Sequence, residues 1–174
     1  MAHSVKLFVG PLLVLRPFLE VSDHAGIYAL TPDASLFVVP YSDELQDDIH
    51  GANGTGEWLE DGPRLSTGDM TFAARASATA KIGYLETEYF GGAGEQSAAL
   101  WAGGQLVLGP LSLHVDGYGA GRPRSLWPIN AVLRGLGVET DGRMDEFDAI
   151  GLGNYRSNSA IEEIAQRLVP PGAR

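Results

Sequence analysis

The residues best spaced for chemistry lie in the segment Gly83–Gly109, which reads GYLETEYFGGAGEQSAALWAGGQLVLG. Glu86 and Glu88 are two apart, so on a strand both carboxylates leave the same face. Such a pair does acid–base work when burial or repulsion drives the two pKa values apart. On the wet face of a meander it forms an exposed acidic stripe instead, and that is the reading adopted. Asp145, Glu146 and Asp148 make a second acidic cluster around Phe147. Their spacing does not match a calcium loop, and they are expected to be solvated. The histidines His3, His24, His50 and His114 are scattered without helical i, i+4 pairing, so no metal site is expected.

The run Gly91-Gly-Ala-Gly-Glu-Gln-Ser97 follows a predicted strand, which raises the question of a phosphate cradle. A dinucleotide fingerprint needs a glycine where Ser97 stands and a helix afterwards, and a P-loop needs Gly-Lys-Ser/Thr. Neither is present, so these glycines are read as a bent or bulged connection between strands. GANGTG at Gly51–Gly56 lacks the same elements. There is no G-x-S-x-G elbow for a nucleophile. The sequence therefore assigns no catalytic residue and no cofactor. Arg122, Arg124 and Arg134 with Trp127 form a local basic and aromatic patch, too small for nucleic acid and read as internal ion pairs or a contact to an acidic partner. Tyr155-Arg156 is a candidate for the same surface.

These residues need a scaffold, and the chain has the means to build one. At 174 residues with 44% hydrophobic content it suits one domain, residues 1–174, with a full core. Its 12 Lys+Arg against 22 Asp+Glu give a net charge of -10, which disfavours nucleic acid and anionic membrane and favours basic partners. The absence of cysteine excludes disulfides and thiolate chemistry. The N-terminal apolar run is broken by Arg16 and Pro17 and has no small-x-small cleavage site, so a cytoplasmic location is expected.

Periodicity and punctuation then place the elements. Val5–Val9 reads as a strand and Pro11–Val21 as a proline-interrupted element. Gly26–Leu30 and Ser35–Val39 read as a strand pair, the second ended by Pro40. Ser42 caps a helix Asp43–His50 with Leu45 and Ile49 buried. Gly51–Gly68 is a loop, and Met70–Lys81 is read as a helix. A meander of Tyr84–Phe90, Ser97–Ala102 and Gln105–Leu108 follows, its last two strands joined by a type I′ turn at Gly103-Gly104. A Gly/Pro/Arg loop, Gly117–Pro123, precedes a helix Ile129–Leu136 that Pro128 opens and Gly137 stops. A capping box Ser159–Glu162 opens a last helix, Ser159–Val169. The fold class is α+β: an antiparallel sheet around the Gly83–Gly109 meander with three to four helices packed on it.

Two stretches carry a family resemblance. Tyr84-Leu-Glu-Thr-Glu-Tyr-Phe-Gly-Gly-Ala-Gly-Glu-Gln-Ser-Ala98 is one. Ile129–Gly137 followed by Asp145-Glu-Phe-Asp-Ala-Ile-Gly-Leu-Gly-Asn-Tyr-Arg156 is the other. They resemble the signature of a family of small bacterial proteins associated with polymorphic-toxin neighbourhoods, where acidic single-domain proteins serve as immunity partners. The resemblance implies an acidic binding protein that neutralises a basic toxin, and it supplies no catalytic residues. The contact residues expected from charge and aromatic character are Glu86, Glu88, Asp145, Glu146 and Asp148, with Tyr89 and Tyr155 as aromatic anchors. The alternative is a small enzyme or nucleotide-binding protein that uses the Gly91–Gln96 loop with Glu86 or Glu88. Oligomeric state is left open.

Overall fold

The computed structural model describes residues 2–116 and 121–172, so most of the loop expected over Gly117–Pro123 lies outside the described residues. An antiparallel sheet forms the middle layer. Its strands are β1 (His3–Gly10), β2 (Ile27–Ala29), β3 (Phe37–Pro40), β4 (Ile82–Phe90), β5 (Ala93–Ala102), β6 (Gln105–Val115) and β7 (Gln166–Val169), in the spatial order β6-β5-β4-β1-β3-β2-β7. Helices α1 (Leu12–Val21), α2 (Asp43–Asn53) and α3 (Thr67–Ala76) cover one face. The other carries α4 (Pro128–Gly135), α5 (Glu146–Ala149) and α6 (Asn158–Ile164). The α+β class holds, with six α-helices among the described residues where three to four were expected.

Alternation along the strands divides the core in two. Phe8, Tyr84, Ala99 and Trp101 turn toward α1–α3, while Val5, Leu7, Val9, Leu85, Ala98 and Leu100 turn toward α4–α6. Phe8 anchors the first layer, its ring 4.8 Å from Phe18, 5.0 Å from Tyr41 and 5.2 Å from Tyr84. Both sides of β1 are buried at its C-terminal half, which explains why LFVG carries no polar alternation.

Several local expectations hold. Ser42 accepts from the Leu45 N–H, and Leu45 and Ile49 are buried. Gly103 and Gly104 have φ of +59° and +79°, as a type I′ turn requires. Pro128 opens α4 at its first position. Others are corrected. The Gly51–Gly68 loop is shorter at both ends: α2 runs on to Asn53, and α3 starts at Thr67 rather than Met70 and stops at Ala76 rather than Lys81. Ser66 and Asp69 form a capping box there. Gly68 fits that helix start because a Cβ would lie 2.0 Å from the Gly54 carbonyl. The last helix is also corrected. Its cap is Ser157, which accepts from the Ala160 N–H, not Ser159. After Ile164 the chain extends into β7 and pairs with β2. Pairing of this otherwise open edge and burial of Val169 against the first core layer win over continued helix. Ile164, at the end of the shortened helix, is 72% exposed.

Candidate functional site

The start of β1, the end of β4 and the start of β5 meet at one end of the sheet, and alternation makes this end two-faced. Glu86, Glu88 and Phe90 leave toward the α2–α3 side, whereas Thr87 and Tyr89 leave toward α4–α5. The expected stripe pairing of Glu86 and Glu88 on one face therefore holds, but the two carboxylates have different environments.

Glu86 Oε2 accepts from the Tyr84 hydroxyl at 2.9 Å and from the Arg64 N–H at 2.8 Å. Its side chain is only 12% exposed, and it fastens the Arg64 segment to the sheet. Burial, then the adjacent Glu86 charge, raise the pKa of the Tyr84 phenol well above its ordinary value, so Tyr84 remains a donor. Glu88 is exposed and pairs with the Arg64 guanidinium at 2.5 Å. It stands directly opposite Glu95, itself exposed and 3.5 Å from His114 Nδ1. At the tip beyond them Phe90 is 80% exposed. A groove of about 400 Å³ runs from Glu88 past Lys6 to Asp43 and Glu44. The Gly91–Gln96 run is a two-residue turn, Gly91-Gly92 with φ of +63° and +90°, and Ala93–Gln96 already belongs to β5. It is a hairpin, and no helix follows to present N–H groups to a phosphate.

On the opposite face a cleft of about 260 Å³ lies between the sheet and the α4–α5 region. Both stretches of the resemblance line it, Thr87, Tyr89, Gly92 and Gln96 from the first and Asp145, Phe147 and Arg156 from the second. Arg124 and Trp127 complete its wall, so the expected association of Arg156 with the Arg124–Trp127 patch is observed. Arg124 lies over the Trp127 ring at 5.6 Å and pairs with Asp145 at 3.5 Å, and Arg134 pairs with Glu146 at 2.5 Å.

The acidic cluster is corrected accordingly. Asp145 and Glu146 are buried rather than solvated, Asp145 capping α5 through the Asp148 N–H and Glu146 neutralising Arg134. Only Asp148 of the three is exposed. Tyr155 is buried too, its hydroxyl donating to the Leu30 carbonyl at 3.0 Å, which removes it as a surface anchor. Tyr89 is half-buried, its hydroxyl accepting from Gln96 Nε2 at 2.7 Å.

A buried polar cluster between α2 and α3 escaped the sequence reading. Asp69, 1% exposed, accepts from the Tyr41 hydroxyl at 2.5 Å, His50 Nε2 at 2.9 Å, Gln46 Nε2 at 2.9 Å and the Ser66 N–H at 2.7 Å. Ser66 Oγ lies 3.0 Å from the same His50 Nε2. Serine, histidine and aspartate are thus in contact, but a catalytic relay needs the acid on one ring nitrogen and the hydroxyl on the other. Here one nitrogen serves both, and Ser66 Oγ is also held by the Asp69 N–H as the helix cap. The cluster locks α2 to α3. The i, i+4 spacing of Gln46 and His50 and the Ser66–Asp69 capping box were the available signals.

Among the described residues no three His, Asp or Glu side chains converge as a metal site would require, and no helix is long and apolar enough to cross a membrane. No protein-family model, curated protein or solved structure matches the chain.

Proposed function

We propose that this chain is a binding protein that captures a basic protein partner through the β4–β5 hairpin, in the manner of an immunity protein that neutralises a bacterial toxin. The observation that carries this reading is the exposed Phe90, set beside the exposed carboxylates of Glu88 and Glu95 at the hairpin tip. An aromatic side chain ringed by charge is the usual form of an interface anchor. The net charge of -10 speeds encounter with a cationic partner and favours it over acidic ones. The resemblance of the Tyr84–Ala98 and Ile129–Arg156 stretches points the same way. Glu88 remains in the proposed contact set and Phe90 joins it, while Glu86, Asp145, Glu146 and Tyr155 act inside the fold.

The experiment is co-expression with the product of the adjacent gene, read by growth and by co-purification. The expected result is a toxic neighbour whose toxicity this chain relieves, with relief lost in the double variant Phe90→Ala/Glu88→Lys. A harmless neighbour, or full protection by that variant while it remains folded, would overturn the proposal.

A further inference from the structure

We propose that the cleft beneath α4–α5 is a binding site for a small ligand carrying a planar ring and one carboxylate or phosphate group. This inference is independent of the partner-capture reading, since it concerns the opposite face of the sheet.

The hydrogen-bond inventory of the cleft wall carries the argument. Its side-chain oxygens are already used. Gln96 Oε1 accepts from the Ile129 N–H, and Asn130 Oδ1 accepts from the Phe147 N–H. Thr87 Oγ1 is held by His3 and the Val5 N–H, and Asp145 Oδ1 accepts from the Asp148 N–H while its other oxygen faces Arg124. Left over are donors, together with His3 Nε2, which is buried without a hydrogen-bond partner. Tyr89 oxygen accepts from Gln96, so its own proton is uncommitted among the described residues. Arg156 also lines the cleft, its charge near enough to His3 to lower that ring's pKa, and its guanidinium makes no hydrogen bond or ion pair among the described residues. Arg124 retains N–H groups beyond those turned to Asp145 and the Met144 sulfur.

Two guanidinium groups against one carboxylate make this a locally cationic pocket in a strongly acidic protein. Burial keeps His3 neutral by lowering its pKa, so it adds no charge, and burial raises the Tyr89 phenol so that it stays a donor. A fork of guanidinium donors suits carboxylate and phosphate oxygens. Trp127 and Phe147 add two aromatic rings to the lining around these donors. A flat ring stacks there while its anionic group meets Arg156 and the Tyr89 hydroxyl. The volume, about 260 Å³, fits a ligand of one ring rather than a dinucleotide.

The test titrates benzoate and phenyl phosphate into the protein. The readouts are nuclear magnetic resonance of the Trp127 indole and the Phe147 ring, with calorimetry for affinity. Benzamide, the neutral ring, and cyclohexanecarboxylate, the non-planar anion, are the comparisons. The proposal expects saturable shifts at Trp127 and Phe147 with benzoate or phenyl phosphate, and at least tenfold weaker binding of both comparison compounds. Whichever anion binds more tightly identifies the ligand as carboxylate or phosphate. Arg156→Gln should weaken binding at least tenfold and Tyr89→Phe several-fold, with Asp47→Asn, exposed on α2 on the other face, unchanged. Absence of saturable shifts with either anion, equal binding of benzamide, or an unaltered Arg156→Gln variant that is folded by circular dichroism would each overturn it.

Discussion

Glu88 and Glu95 stand directly opposite one another across the β4–β5 pair, with side chains 64% and 73% exposed. Like charges directly opposite one another destabilise a sheet, and here Glu88 is paired with Arg64 while Glu95 lies 3.5 Å from His114. Glu95→Lys is expected to raise the urea midpoint by relieving the repulsion, and at the same time to weaken capture of a cationic partner. Denaturation and pull-down on one preparation check both. A variant that gains stability and loses no binding would separate the hairpin from the interface.

Asp69 collects four hydrogen bonds in the α2–α3 junction. Its removal leaves Tyr41, Gln46 and the Ser66 N–H facing a hole, so Asp69→Ala is expected to cost about 3–5 kcal/mol. Tyr41→Phe deletes one donor and leaves three, and should cost about 1–3 kcal/mol. Because whole domains are stable by only about 5–15 kcal/mol, the first change should visibly depress the thermal midpoint. If the cluster were catalytic rather than structural, Ser66→Ala would abolish an activity without the stability loss that a lost cap entails, about 1 kcal/mol. Chemical denaturation of the three variants decides the order.

His3 links stability to acidity. Burial lowers its pKa below the ordinary 6.5, Arg156 adds to the lowering, and the backbone carbonyls of Leu152 and Tyr155 oppose it. In the unfolded chain the imidazole takes up a proton as pH falls through about 6.5, whereas the folded ring resists. The unfolded state then binds more protons, so acid destabilises the fold from about pH 6.5 down to the lowered folded value. His3→Gln keeps a polar group toward Thr87 and removes the titration. Its urea midpoint should fall less than that of the parent between about pH 7.5 and pH 5. Parallel declines would assign the acid sensitivity to the carboxylates instead.

The elements legible in the sequence were those whose signals are local. Gly103-Gly104 and Ser42 each specify a turn or cap within four residues, and both hold. The two faces of β4 were legible from alternation. What burial decided was not. Asp145, Glu146 and Asp148 look alike in sequence, and only the ion pairs with Arg124 and Arg134 and the cap of α5 distinguish the buried two from the exposed one. Likewise Tyr89 and Arg156 line one cleft on the same face of the sheet, a convergence no spacing announces.

The end of the chain shows the same division and permits a sharp comparison of two serines. Ser159 with Glu162 has the spacing of a capping box, whereas Ser157 has no glutamate three residues on. Yet Ser157 has extended backbone angles, φ -156° and ψ 167°, and its hydroxyl accepts from the Ala160 N–H at 3.2 Å. The choice is made by contacts to β1. The Ser4 N–H donates to the Arg156 carbonyl, and Asn158 clasps Lys6 by accepting from its N–H and donating to its carbonyl. These bonds hold 156–158 against β1, so the helix starts at Asn158. Ser157→Ala is therefore expected to cost about 1 kcal/mol and Ser159→Ala a few tenths at most, since the latter hydroxyl is an exposed side group. Urea denaturation of the two variants reads the difference directly, and a larger loss at Ser159 would return the helix start to the capping box.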